Sequence, residues 1–182
     1  MRFIKSKYIT IFTEKFQKTE CMKIAIIYDS KYGTTEKVSI SIADKLMEAN
    51  EVELFALKKN PDPDISGFDM VILGSPIYAG QASSKIKSFC KVNEAVLLQK
   101  KIALFICGMH PEKKEQEKEL QNAYPEVLQK KAIAVGFLGG EFLFEKMNFF
   151  ERMIIKKIAK TTTSVHQIDW NAMEDFIKKI NS

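Results

Sequence analysis

Short apolar runs, most of them followed by a stretch with helical spacing, dominate this chain from residue 22 onward. Lys23–Tyr28 ("KIAIIY") is a continuous apolar run of the kind a parallel strand buried on both faces requires. Thr34–Ala49 then places Val38, Ile42 and Leu46 at helical intervals, with Ala49 continuing the face. Glu51–Leu57 alternates like a strand, and "NPDPDISG" after it reads as loop, because its prolines and aspartates break both periods. Asp69–Gly74 is a second buried run, followed by the loop "SPIYAGQAS" and a short helix to about Asn93. Lys101–Cys107 is a further strand, and Glu112–Lys130 is a charged helical stretch interrupted at Pro125. Lys131–Leu138 makes the last strand and Asp169–Ile180 a closing helix. Five strands interleaved with helices predict an α/β fold: a doubly wound five-stranded parallel sheet, helices on both faces, crossovers right-handed.

The 182 residues suffice for one domain with a sizeable core. No apolar run approaches the ~20 residues that span a bilayer. Cys21, Cys90 and Cys107 are widely separated, with no CxxC pair, which suits a reducing compartment and gives no disulfide framework or zinc site. A cytoplasmic location follows as the expectation. Of the net charge of +5, residues 1–21 hold +3, from five basic and two acidic side chains. The remainder is close to balanced, so no nucleic-acid partner is expected.

Met1–Cys21 does not read as the start of the fold. It is basic and aromatic, and it lacks the apolar stretch and cleavage site of a secretory signal. "MKIAIIYDS" from Met22 enters a strand directly. The segment is either an upstream extension without defined structure or a short amphipathic helix docked on the domain. Residues 1–21 are therefore left outside the fold, and 22–182 are taken as the domain.

"YDSKYGTT" (Tyr28–Thr35) joins the first buried strand to the first helix, where a parallel sheet offers an anion site. Gly33 permits close backbone approach, and Ser30, Thr34 and Thr35 bring hydroxyl donors, with Lys31 and Tyr32 completing the loop. It is neither GxxxxGK(S/T) nor GxGxxG, which demotes nucleotide hydrolysis and Rossmann dinucleotide binding. The plain alternative is that Thr34 or Thr35 merely caps the helix.

The segment Ile26–Ile42 resembles the flavodoxin phosphate-loop signature: two apolar residues, an aromatic, then Ser, Gly and Thr at the family's spacing. It departs at Ser39, a helix-packing position where the family usually has Ala. The resemblance implies a flavodoxin-like sheet of order 2-1-3-4-5, with FMN at the switch point. It also implies an FMN-dependent redox role, with the phosphate on Ser30, Lys31, Tyr32, Gly33, Thr34 and Thr35.

Two further loops would then hold the flavin ring. "GSPIYAG" (Gly74–Gly80) supplies Ser75, Pro76, Ile77, Tyr78, Ala79 and Gly80, with Tyr78 as an aromatic face for the isoalloxazine. "CGMHPEK" supplies Cys107, Gly108, Met109 and His110, Cys107 reading as a buried strand-end thiol rather than a nucleophile. An exposed turn tyrosine and a solvated loop histidine are the plain alternatives at Tyr78 and His110. No catalytic residue and no metal ligand is assigned.

About thirty residues, 139–168, exceed a minimal five-strand unit. Met147, Phe150, Ile154 and Ile158 fall at helical spacing, with Arg152, Lys156, Lys157 and Lys160 on the polar side. Such a helix either packs over the sheet edge or rests weakly on a membrane surface through residues 141–160, at the inner face of the membrane. The insertion, the following "DW" and the last helix resemble the menaquinone-dependent protoporphyrinogen oxidase branch of flavodoxin-like proteins. That resemblance implies electron exchange with a partner protein or a small-molecule or quinone acceptor, protoporphyrinogen oxidation being the specific enzymatic version. A flavodoxin-like scaffold serving only as a binding module is the non-enzymatic alternative.

Overall fold

The structure is a computed structural model; it describes residues 21–150, 152, 153, 156 and 163–182. The expected N-terminal extension before Cys21, and Ile154, Lys157, Ile158 and Lys160 of the expected insertion helix, lie outside the described residues.

Five parallel strands, β1 (Lys23–Tyr28), β2 (Glu51–Ala56), β3 (Met70–Tyr78), β5 (Lys101–Cys107) and β6 (Ala134–Phe137), lie in the order β2-β1-β3-β5-β6. This is the 2-1-3-4-5 order expected from the sequence. A two-residue strand, β4 (Gln81–Ala82), turns back antiparallel onto β3. Consecutive residues of a strand face opposite sides of the sheet, so each apolar run feeds two cores. Ile24, Ile26, Met70, Ile72 and Phe105 pack against α1 (Thr34–Leu46) and the C-terminal helix α6 (Trp170–Ile180). Ala25, Ile27, Val71, Leu73 and Leu104 face the opposite layer, made by α2 (Ser84–Val92), α3 (Glu94–Leu97), α4 (Lys113–Ala123) and α5 (Glu126–Lys131).

Strand register fixes where the loops emerge. Tyr28 pairs with Gly74, and Pro76 with Cys107. The segments after β1, β3 and β5 therefore leave one edge of the sheet as neighbours, with strands about 4.8 Å apart.

Several elements depart from expectation. The first helix stops at Leu46, not Ala49, because Asn50 Nδ2 donates to the Leu46 carbonyl and the chain closes in a turn. "GSPIYAG" is not a free loop: β3 continues to Tyr78, and only Ala79 and Gly80 turn, both at positive φ (48° and 73°). Helix α3 follows α2 directly and buries Leu97.

The insertion contains an antiparallel pair, β7 (Gly139–Phe142) and β8 (Val165–Ile168), with Glu141 opposite His166. Each strand is four residues long, too short for alternation to show. Gly139 permits the turn from β6 into β7: its φ is +69°, and a Cβ there would lie 2.0 Å from the Gln167 carbonyl oxygen. After a 3-10 turn at Phe144–Lys146, residues 149, 150, 152, 153 and 156 are helical.

Candidate functional site

Gly33 is the N-cap of α1, in the left-handed region at φ 104°, and no side chain caps the helix. Neither threonine is therefore spent on capping. Ser30 Oγ accepts the Gly33 amide at 3.1 Å, which folds the loop back on itself. Thr35, in the first turn, is 1% exposed, and its Oγ1 makes no well-formed hydrogen bond. An orphaned buried hydroxyl costs about 1–3 kcal/mol, so its presence at a helix N-terminus points to an absent acceptor. The Cys107 thiol beside it is pushed up to about 12 by burial, with the Thr35 hydroxyl opposing the shift. Cys107 is thus a neutral strand-end thiol, inert as a nucleophile.

Tyr78 brings the second segment to the first. Its hydroxyl accepts the Lys31 amide at 3.2 Å, and its ring meets Tyr32 edge-on, centroids 5.6 Å apart. Burial pushes the Tyr78 phenol up to about 12, although the ring keeps an exposed side. Ser75 and Pro76 are buried in β3, and the Ser75 hydroxyl accepts the Ser83 amide at 3.0 Å and donates to the Pro76 carbonyl. Ser75 therefore braces the strand end and has no hydroxyl proton to spare. Ile77 is half-buried, while Ala79 and Gly80 form the exposed turn.

The third segment is more enclosed than the sequence suggests. The Gly108 amide donates to the Gly139 carbonyl at 3.0 Å, so β7 has taken that donor. Gly140 runs so close that a Cβ would lie 2.7 Å from the Gly108 carbonyl oxygen and 3.1 Å from Met109 Cγ. His110 Nδ1 accepts the Glu112 amide at 3.3 Å. Beside the loop, Glu119 Oε2 is buried without a partner, and burial raises its carboxyl above the ordinary glutamate range, His110 opposing.

Three contributors were not singled out from sequence. Asp29 accepts from Ser83 Oγ at 2.7 Å and pairs with Lys85 at 3.1 Å, which locks the start of the loop after β1 to the start of α2. Glu141, its side chain 4% exposed, binds Lys37 Nζ at 3.0 Å and His166 Nδ1 at 2.7 Å, and accepts from Thr34 Oγ1 at 3.5 Å. Burial would raise the Glu141 carboxyl, but the hydrogen bonds from His166 and Lys37 outweigh it and hold the group below its ordinary value. Lys146 Nζ donates to the Tyr32 carbonyl at 3.0 Å. Sequence signals for Glu141 and Lys146 existed only as charges in the insertion, since their contacts are long-range. Among the described residues no helix is long and apolar enough to cross a membrane.

The chain is similar to known proteins in sequence and in fold. The family model described as "Flavodoxin domain" matches residues 25–169. The protoporphyrinogen IX dehydrogenase (quinone) of Leishmania major is 22% identical over 167 residues, covering 85% of this chain and 72% of that protein. A short-chain flavodoxin associated with a non-canonical PDU bacterial microcompartment superposes with TM-score 0.54 at 11% identity, covering 88% of this chain and 97% of that one. The apo form of an NADH:FMN oxidoreductase gives TM-score 0.53 at 14% identity, covering 88% and 87%. At these identities the structural likeness is one of fold.

Proposed function

The chain belongs to the flavodoxin domain family, and we propose that it is an FMN-dependent redox protein. The observation that carries this reading is the Thr35 hydroxyl, buried beside the Cys107 thiol with no well-formed hydrogen bond, in the first turn of a helix whose N-cap is a left-handed glycine. A phosphate at that helix end would satisfy the hydroxyl, the first-turn amides and the helix dipole together. Thr34, Thr35, Gly33 and Ser30 would hold the phosphate, and Tyr78 would face the ring from β3.

FMN, when bound, supplies two-electron or one-electron transfer; the protein binds it, orients it and tunes its potential. Tyr78 stays a neutral phenol, so it offers the ring an electron-rich face without an added charge. Ser75 braces the end of β3, and Cys107 closes β5 beside it; a bound ring would lie over these strand ends. Purified protein should be yellow, and flavin released by heat should run as FMN on chromatography. Release of FAD, or no flavin after reconstitution, overturns the reading.

Within this reading a soluble electron carrier and a quinone-linked protoporphyrinogen-oxidising enzyme are the two versions. One observation favours the second: Phe149, Phe150 and Met153 are 74%, 69% and 53% exposed on the insertion, beside Lys146 and Arg152. Exposed aromatic and basic residues together suit an interfacial helix. Protoporphyrinogen oxidation coupled to a quinone, and low-salt co-sedimentation with anionic vesicles abolished by Phe150→Glu, would favour the enzyme. Failure of both assigns the carrier role.

A further inference from the structure

The insertion reaches back to the phosphate loop with charges of both signs. Lys146 Nζ, besides its bond to the Tyr32 carbonyl at 3.0 Å, lies 3.3 Å from where a Cβ on Gly33 would sit. The ammonium thus stands over the N-cap of α1, the end that already carries the positive pole of the helix dipole. A cation there is electrostatically misplaced unless an anion joins it. The Glu141 carboxylate reaches the same first turn through the Thr34 hydroxyl, while Lys37 and His166 hold its other oxygen.

We infer that Lys146 is a phosphate-binding residue, giving the FMN phosphate its counter-charge at the start of α1, and that the Glu141 carboxylate is the anion with which that phosphate competes. This rests on the FMN reading above and adds to it the device that separates FMN from flavins lacking a phosphate. A phosphate monoester carries about −1.5 to −2 charges near neutral pH against −1 for a carboxylate, so it is the stronger claimant for the Thr34 hydroxyl and Lys37. The lysine stem is long and flexible, so the ammonium can follow the phosphate while the 3-10 turn stays in place. The plainer role for Lys146, fastening the turn to the Tyr32 carbonyl, predicts no preference for a phosphate-bearing ligand.

Fluorescence titration of the full chain with FMN and with riboflavin, which lacks the phosphate, separates the two. Lys146→Met should raise the FMN Kd about tenfold, the loss of one charge-assisted hydrogen bond, and leave the riboflavin Kd unchanged. Lys146→Arg should restore FMN affinity. Glu141→Gln should lower the FMN Kd and leave riboflavin alone, so the two charge-removing variants move in opposite directions. Raising the salt should weaken FMN binding more in the parent than in Lys146→Met. The inference is overturned if Lys146→Met binds FMN as tightly as the parent, if FMN and riboflavin weaken in equal proportion, or if Glu141→Gln weakens FMN. A parent chain that prefers FMN while Lys146→Met keeps that preference refutes only the lysine; a parent that binds neither flavin refutes the FMN reading with it.

Discussion

The Tyr78 hydroxyl accepts the backbone amide of Lys31 at 3.2 Å, so the end of β3 and the loop after β1 form one continuous surface. Lys31 Nζ lies 5.1 Å from the Tyr32 ring centroid and 5.9 Å from that of Tyr78, which adds a cation to the joint. Removing the hydroxyl and removing the ring should therefore have different consequences. Tyr78→Phe should weaken FMN binding about two- to tenfold, the net worth of one hydrogen bond, with little change in potential. Tyr78→Ala should also raise the reduction potential of bound FMN, because an electron-rich face that disfavours the anionic reduced ring is gone. Redox titration of both variants beside the parent reads the difference, and an unmoved potential in Tyr78→Ala places the ring off the flavin.

Thr35→Val should have opposite effects on folding and on binding. The variant removes a buried hydroxyl that lacks a partner, so flavin-free protein should gain stability, by up to about 1–3 kcal/mol. FMN affinity should fall about tenfold or more, since a hydrogen bond to a charged group is worth roughly 1.5–3 kcal/mol. Denaturant melts and flavin titration on the same preparation check both signs. Unchanged affinity would mean that the phosphate is not held at this helix end.

Burial pushes the thiols of Cys90 and Cys107 up to about 12, whereas Cys21 is exposed. Only the thiolate is alkylated, so folded protein near pH 8 should take up one iodoacetamide, on Cys21. Mass spectrometry of proteolytic peptides locates it. Rapid labelling of Cys107 would contradict the packing of β5 against Thr35.

The sheet was legible from residues alone because a strand buried on both faces cannot hide its apolar run. Lys23–Tyr28 and Lys101–Cys107 are strands over those same bounds, and the strand order follows the family resemblance. The loop after β1 was legible as a candidate anion site because Gly33 and its flanking hydroxyls lie within a few residues of one another. What hid from the sequence was long-range or very short. Glu141 meets Thr34 across 107 positions, and no local pattern encodes that. The "GSPIYAG" segment read as loop because of its Pro and Gly, yet β3 absorbs Pro76, whose missing amide proton is tolerated where the strand nears its end. The helical spacing of the insertion masked the β7–β8 pair, whose four-residue strands leave no period to detect.

Gly139→Ala should detach the insertion without unfolding the sheet. A Cβ would sit 2.0 Å from the Gln167 carbonyl oxygen, at a φ of +69° that side chains avoid. A stability loss of about 1–3 kcal/mol is expected from such strain. FMN affinity should fall with it as Lys146 loses its place over the start of α1, whereas far-ultraviolet circular dichroism should stay near that of the parent. Collapse of the whole spectrum would mean that β7 is integral to the main core.

Acid should loosen the same junction. The folded pKa of Glu141 lies below the ordinary glutamate value of 4.5, so its contribution to stability is present above that value and is lost as pH falls through the lower, folded one. Glu141→Gln should be less stable than the parent near neutrality, and the gap should close as the solution is acidified below the ordinary glutamate range. Parallel denaturant curves across that range test it; a gap that widens toward acid would reverse the sign.

The bonds from the insertion to the loop after β1 and to the first turns of α1 span 104 to 114 positions of chain, against 28 for the Met22–Asn50 bond at the start of β1. Contacts that close such long loops come late in folding, after the chain has already bought its nearer pairings. They are also few and partly solvent-exposed, so the junction should open on its own far more often than the sheet does. Hydrogen exchange should therefore find the amides of β7 and β8 turning over while those of β1, β3 and β5 stay protected. If Lys146 holds the phosphate as proposed, the cofactor would load into a finished domain, on a clock set by one local opening rather than by refolding.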